Sequence, residues 1–176
     1  GSAIAPKARK NKEPTKDQLQ SLVNLYNQGA LEKAFELAQT LTNQHPGTLV
    51  PWNIMGASAA QTGRLDQAIF AFQKAISIKP DYAEAYNNMG NALRHKDRLD
   101  EAIDAYNKAL SIKPDYAEAY NNMGNALRDK DQLDEAIDAY NKALSIKPDY
   151  ARAFNNIGLA LQLQRKFKVS VGAYKK

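Results

Sequence analysis

The chain repeats itself every 34 residues, and this period constrains the fold more than any other feature of the sequence. Residues 83–116 and 117–150 differ at only two positions, His95 against Asp129 and Arg98 against Gln132. The frame runs back over 49–82, more weakly over 15–48, and forward into 151–176, where it stops short of a full period. A fixed period of this length marks a stacked array, in which each unit buries its apolar face only against its neighbours.

Inside each unit the apolar residues fall at helical spacing. Tyr86, Met89, Gly90 and Leu93 stand at i, i+3, i+4 and i+7 and make one face of a first helix. Leu99, Ala102, Ile103, Tyr106, Ala109 and Leu110 make the face of a second. Pro114 stops that helix, since it has no N–H and disfavours the α region for the residue before it. Asp115 with Glu118, and Asp81 with Glu84, predict a capping box that restarts the next first helix. Two helices of about 14 residues with short connections predict an antiparallel hairpin, repeated along the chain.

The order of residues within a unit resembles the tetratricopeptide repeat: an aromatic, a large residue followed by Gly, then Ala, an aromatic, Ala and Pro. The second unit has Trp52, Met55-Gly56, Ala59, Ala68, Phe72, Ala75 and Pro80. The third has Tyr86, Met89-Gly90, Leu93, Ala102, Tyr106, Ala109 and Pro114. The fourth has Tyr120, Met123-Gly124, Leu127, Ala136, Tyr140, Ala143 and Pro148. The resemblance implies an all-α fold, a right-handed α-solenoid of antiparallel helix pairs. About five units are expected, at 15–48, 49–82, 83–116, 117–150 and a partial 151–176. The first is divergent, with Gln18 and Leu22 in place of the aromatic and the glycine. The last keeps Phe154, Ile157-Gly158, Leu161, Phe167 and Tyr174, but Ser170 replaces a small alanine and Gly172 falls mid-helix. That break reads as the interruption of a longer array. Residues 1–14 read as an expression scar, Gly1-Ser2, followed by a flexible basic tail.

The formal charge of +5 raises nucleic acid as a partner, but the charge sits at the two ends of the chain. Lys7, Arg9, Lys10 and Lys12 lie in the tail, and Arg165, Lys166, Lys168, Lys175 and Lys176 at the other end; the body between is mildly acidic. A nucleic-acid binder carries a continuous basic stripe on its folded face, and none is present. No apolar run is long enough to cross a membrane, and the expected location is cytoplasmic. The absence of cysteine excludes thiol catalysis and thiolate metal sites. His45 and His95 have no ligand-spaced partner, so no metal is expected. His95 stands where the sister unit has Asp129, which reads as solvated surface. Asp97, Asp100 and Glu101, with Asp129, Asp131, Asp134 and Glu135, cluster around the turns between helices, favour helix N-termini through the dipole and do not alternate around a central glycine as a calcium loop requires. With no phosphate-cradling loop or nucleophile elbow, no enzyme activity and no cofactor are expected.

Asparagine is the residue type that helix propensity would not have chosen. Asn53, Asn87, Asn88, Asn91, Asn121, Asn122, Asn125, Asn155 and Asn156 all lie on first helices, where a short amide competes for backbone hydrogen bonds. On a helical wheel Asn88 and Asn91 fall away from the Tyr86–Leu93 face, on the side that lines the concave groove in the tetratricopeptide family. An amide offers one acceptor and two donors, and at regular intervals can hold the backbone of an extended peptide whatever its side chains. This arrangement resembles the asparagine ladder of the repeat region in O-linked GlcNAc transferases. By that resemblance the rungs are Asn88, Asn122 and Asn156, with Ile54 breaking the ladder. Co-chaperone tetratricopeptide domains hold a C-terminal carboxylate with Lys and Arg on successive first helices. Here Glu84 and Glu118 take such places and only Arg152 is basic. Arg94 and Arg128, near the ends of the first helices, read first as solvated surface and second as contacts for acidic side chains.

The expected function is a protein-interaction scaffold that holds an extended peptide or partner protein in its groove, without nucleic acid or membrane. Two rival readings are open. One is self-association through an uncapped last unit exposing Phe154, Leu161 and Phe167. The other is a substrate-recruiting region of a larger transferase.

Overall fold

The computed structural model describes residues 13–173, with side-chain environments for 13–165. The basic tail before Glu13, and Phe167, Tyr174 and most of the C-terminal basic cluster named above, lie outside those described residues or their described side chains. Among the described residues every regular element is an α-helix: α1 (Lys16–Asn27), α2 (Leu31–Gln44), α3 (Leu49–Gln61), α4 (Leu65–Ile78), α5 (Ala83–His95), α6 (Leu99–Ile112), α7 (Ala117–Asp129), α8 (Leu133–Ile146) and α9 (Ala151–Ala173). No helix among them is long and apolar enough to cross a membrane.

The chain divides into two compact units, one ending at Ile78 and one beginning at Lys79. In the first, α1 pairs with α2 and α3 with α4, and α3 also packs on α1 and α2. In the second, α5 pairs with α6 and α7 with α8, while α7 and α9 stack on the preceding pair. Each unit is therefore a stretch of α-solenoid built from antiparallel hairpins, as the period predicts.

The close approach within each hairpin depends on one glycine. A Cβ built on Gly90 would sit 2.6 Å from the Tyr106 ring, and one on Gly124 would sit 2.5 Å from Tyr140. Gly56 stands in the same relation to Phe72, at 2.7 Å. Ordinary carbon contacts lie near 3.5–4.0 Å, so only hydrogen fits there. The first repeat reverses this division of volume. At the equivalent positions it has Leu22 and Ala38, both fully buried, a large residue for the glycine and a small one for the ring.

Two local features differ from expectation. The helices α5 and α7 begin after Tyr82 and Tyr116 with no side-chain cap bond, so the Asp81–Glu84 and Asp115–Glu118 capping boxes do not form. The Lys–Pro–Asp–Tyr turn closes instead through backbone bonds such as Tyr116 N–H to Lys113 C=O at 3.2 Å. A capping box does form at α1, between Thr15 and Gln18. The second difference lies in the fifth repeat, where α9 runs on as one helix. The turn between paired helices needs a left-handed residue. Gly29 (φ 74°), Gly63 (φ 77°), Asp97 (φ 58°) and Asp131 (φ 59°) supply it at 34-residue intervals. Gly and Asp tolerate that conformation. The fifth position is Arg165, which does not favour it, and the helix continues through.

Candidate functional site

In the second unit the first helices α5, α7 and α9 lie side by side, and their asparagines divide into two kinds. Asn87 and Asn121 are 1% and 3% exposed. Each accepts from the following repeat: Asn122 Nδ2 donates to Asn87 Oδ1 at 3.0 Å, and Asn156 Nδ2 donates to Asn121 Oδ1 at 2.9 Å. These bonds stitch neighbouring repeats together and account for a poor helix former at a buried helical position. A buried amide left without its partner would cost about 1–3 kcal/mol.

Asn91 and Asn125 belong to a different bond. The Tyr106 hydroxyl donates to Asn91 Oδ1 at 2.8 Å and the Tyr140 hydroxyl to Asn125 Oδ1 at 2.9 Å. Each bond ties a second helix to its own first helix and orients the amide, with Nδ2 left for other partners. Burial holds the Tyr106 hydroxyl well above its ordinary pKa, and pushes that of Tyr140 up to about 12. Tyr116, in the turn before α7, is also pushed up to about 12, mainly by burial and secondarily by Glu118 and Glu84.

Charge gathers at the C-terminal ends of α5 and α7. Arg94 Nη1 lies 2.8 Å from Asp129 Oδ2, and Arg128 Nη2 lies 3.1 Å from Asp129 Oδ1. One carboxylate thus serves two guanidiniums, one of them from the preceding repeat. The Nε of Arg94 is buried with no hydrogen-bond partner among the described residues. Asp129 therefore departs from the expectation of plain solvated surface, whereas His95, its counterpart, is exposed.

Several of these groups line an open cavity of about 470 Å³. Asn91, Arg94 and His95 come from α5. Glu118, Asn121, Asn122 and Asn125 come from α7, and Arg152, Asn155 and Asn156 from α9. Seven residues singled out from sequence thus meet in one place. Asn87, Asn88 and Arg128 are in the same unit but do not line the cavity. Asn53 is in the other unit, where its Oδ1 is buried without a partner among the described residues and its neighbour Ile54 is buried. Sequence reasoning did not select His95, Glu118 or Arg152. The signal was available, since Glu118 and Arg152 share one repeat position with Glu84. Among the described residues no group of three or more His, Asp or Glu side chains could hold a metal ion.

Comparison with known proteins agrees with this architecture. A family model described as tetratricopeptide repeat matches residues 81–149 and 115–176, and one described as TPR repeat matches 58–95. No curated protein matches. Among solved structures, a crystal structure of MamA is 28% identical, covers 88% of this chain and 90% of its own, and superposes with a TM-score of 0.76. MamA 41-end from Desulfovibrio magneticus RS-1 is 20% identical, with coverage of 92% and 94% and a TM-score of 0.76. The first TPR of Spaghetti (RPAP3), bound to the HSP90 peptide SRMEEVD, is 23% identical, with coverage of 65% and 90% and a TM-score of 0.62. At those identities the last two show a shared fold alone.

Proposed function

The chain belongs to the tetratricopeptide repeat family, a family of protein-interaction scaffolds, and from that premise we propose that its second unit holds an extended peptide across α5, α7 and α9. The observation that carries this reading is the regular row of amides around the cavity. Asn122 and Asn156 each use one N–H within the protein, and an amide has a second N–H to offer. Asn155 is exposed and adds another. Hydrogen bonds from such groups to a peptide backbone give affinity without demanding a particular side chain. Neighbouring first helices fix the spacing of the amides, so little ordering is needed when a ligand arrives.

The test starts with a photoreactive residue at Asn155, where no hydrogen bond is disturbed, to capture the partner and locate the contact. The affinity of the captured segment is then measured on the chain carrying Asn88→Ala, Asn122→Ala and Asn156→Ala, with circular dichroism confirming the fold. A loss of roughly tenfold or more supports the reading, equivalent to one or two net hydrogen bonds. Unchanged affinity, or capture of the partner by a photoreactive residue on the exposed side of α6 or α8 and not by the one at Asn155, sinks it.

A second reading rests on α9. Phe154 is 56% exposed, and Leu161, two turns on along the same side of the helix, is 49% exposed, an apolar stripe that a second copy of the chain would cover. Sedimentation velocity across a wide concentration range decides it: a strict monomer throughout removes self-association.

A further inference from the structure

The cavity is lined by groups of both signs, and their charges do not cancel. Arg94 and Arg128 share the single carboxylate of Asp129. Arg152 stands beside the Tyr150 hydroxyl and has no carboxylate partner within ion-pair distance among the described residues. Glu118 shares the cavity wall with it. Among the lining groups Arg94 and Arg152 against Glu118 leave one positive charge in excess, and Arg128 and Asp129, which pair beside the lining, cancel each other. Asp129 also fixes the plane of Arg94, so that guanidinium is oriented before any ligand arrives.

We propose that this cavity takes one carboxylate side chain, an aspartate or glutamate within an extended peptide. Arg152 supplies the new ion pair, and Asn122, Asn125 and Asn156 hold the main chain around it. The inference rests on the peptide-holding reading and names the chemistry of what is held. An excess of one charge suits a monoanion, whereas a phosphate would bring nearly a second negative charge against Glu118. Asparagines stand on both flanks of the cavity, Asn91 on α5 and Asn155 on α9. That placement suits a chain passing through, with its acid in the middle, better than one ending there.

The test uses short peptides, acetylated and amidated at their ends, with one central Glu, Gln or phosphoserine. A fourth peptide is the Gln version with a free C-terminal carboxylate. Each is titrated into the whole chain while NMR follows the side-chain amide signals of the asparagines. The Glu peptide is expected to bind roughly three- to tenfold tighter than the Gln peptide. That preference disappears in Arg152→Gln and shrinks in about 0.5 M salt. Arg152 is exposed on the first turn of α9, so the variant keeps its fold, and circular dichroism confirms it. Equal binding of Glu and Gln peptides, with asparagine shifts for both, overturns this inference and leaves the peptide-holding reading standing. A preference for phosphoserine, or for the free C-terminus, also overturns it. If no peptide shifts any asparagine amide, both fall.

Discussion

Replacing the helix-contact glycine should destabilise a repeat even though alanine is the better helix former. In an open helical site Gly→Ala gains about 1 kcal/mol of propensity. At Gly124 the new methyl would lie 2.5 Å from Cε1 of Tyr140, about 1 Å inside normal contact. The ring cannot simply yield: Tyr140 is fully buried and its hydroxyl is held by Asn125 at 2.9 Å. Overpacking of this kind costs about 1–3 kcal/mol, and breaking the hydroxyl bond adds about 1 kcal/mol. Set against the propensity gain, Gly124→Ala should lose about 1–3 kcal/mol, and Gly90→Ala a similar amount against Tyr106. The control lies in the same sequence. Gly158 is the corresponding glycine of α9 and has nothing within 4 Å of its missing Cβ among the described residues. Gly158→Ala should therefore stabilise, by up to about 1 kcal/mol. Urea unfolding followed by helical circular dichroism, with the slope compared between variants, measures both. A rise in midpoint for Gly124→Ala, or movement of both variants in the same direction, would refute the reasoning.

Further outcomes follow from the same packing. Asn121→Ala removes the acceptor for Asn156 and should cost about 1–3 kcal/mol, while Asn155→Ala on the exposed face should change the urea midpoint very little. At the left-handed turn, Asp131→Ala should destabilise by about 1 kcal/mol and Asp131→Gly should not, because only the second substitution suits φ 59°. A tyrosine in the unfolded chain ionises near pH 10, but Tyr116 and Tyr140 are pushed up to about 12 when folded. Between those values the unfolded chain releases protons that the folded chain keeps, so stability should fall as pH rises through that window. A urea midpoint unchanged from about pH 9 to 11.5, or an equally steep fall in Tyr140→Phe, would count against it.

Features set within one repeat were legible in the sequence, and features set by the register between repeats were not. The spacing of Tyr86, Met89, Gly90 and Leu93 gave the helix, and the smallness of Gly90 against Tyr106 gave the tight hairpin, since both follow from one unit alone. The asparagine stitch joins Asn87 to Asn122, which is neither in the same repeat nor at the same repeat position. No helical wheel of a single unit shows it, and the wheel placed those amides only by side. The missing capping boxes have another cause. The Pro-containing turn already closes the chain through backbone bonds, so Asp81 and Asp115 are not needed as caps. The left-handed turn was visible in principle, as Gly29, Gly63, Asp97 and Asp131 at one spacing, with Arg165 breaking the series.

The two positions that distinguish the near-identical repeats show what periodicity conceals. His95 and Asp129 occupy one repeat position, and taken one unit at a time such a swap reads as tolerance. Between units it is directional. Asp129 reaches back to Arg94 and also holds Arg128. The same position has exposed His95 in the repeat before and Leu163 in the repeat after, neither of which brings a negative charge to an arginine. One junction therefore carries an ion pair that its copies cannot reproduce, and that junction borders the cavity. At Arg98 and Gln132 the other difference acts locally, because Arg98 pairs with Glu101 on its own helix and Gln132 has no charge to pair with Glu135. Repeats this similar offer nearly equivalent surfaces for stacking, so register has few features to fix it. Asp129 is one of those few, because it gives Arg94 a partner that the matching positions His95 and Leu163 do not supply.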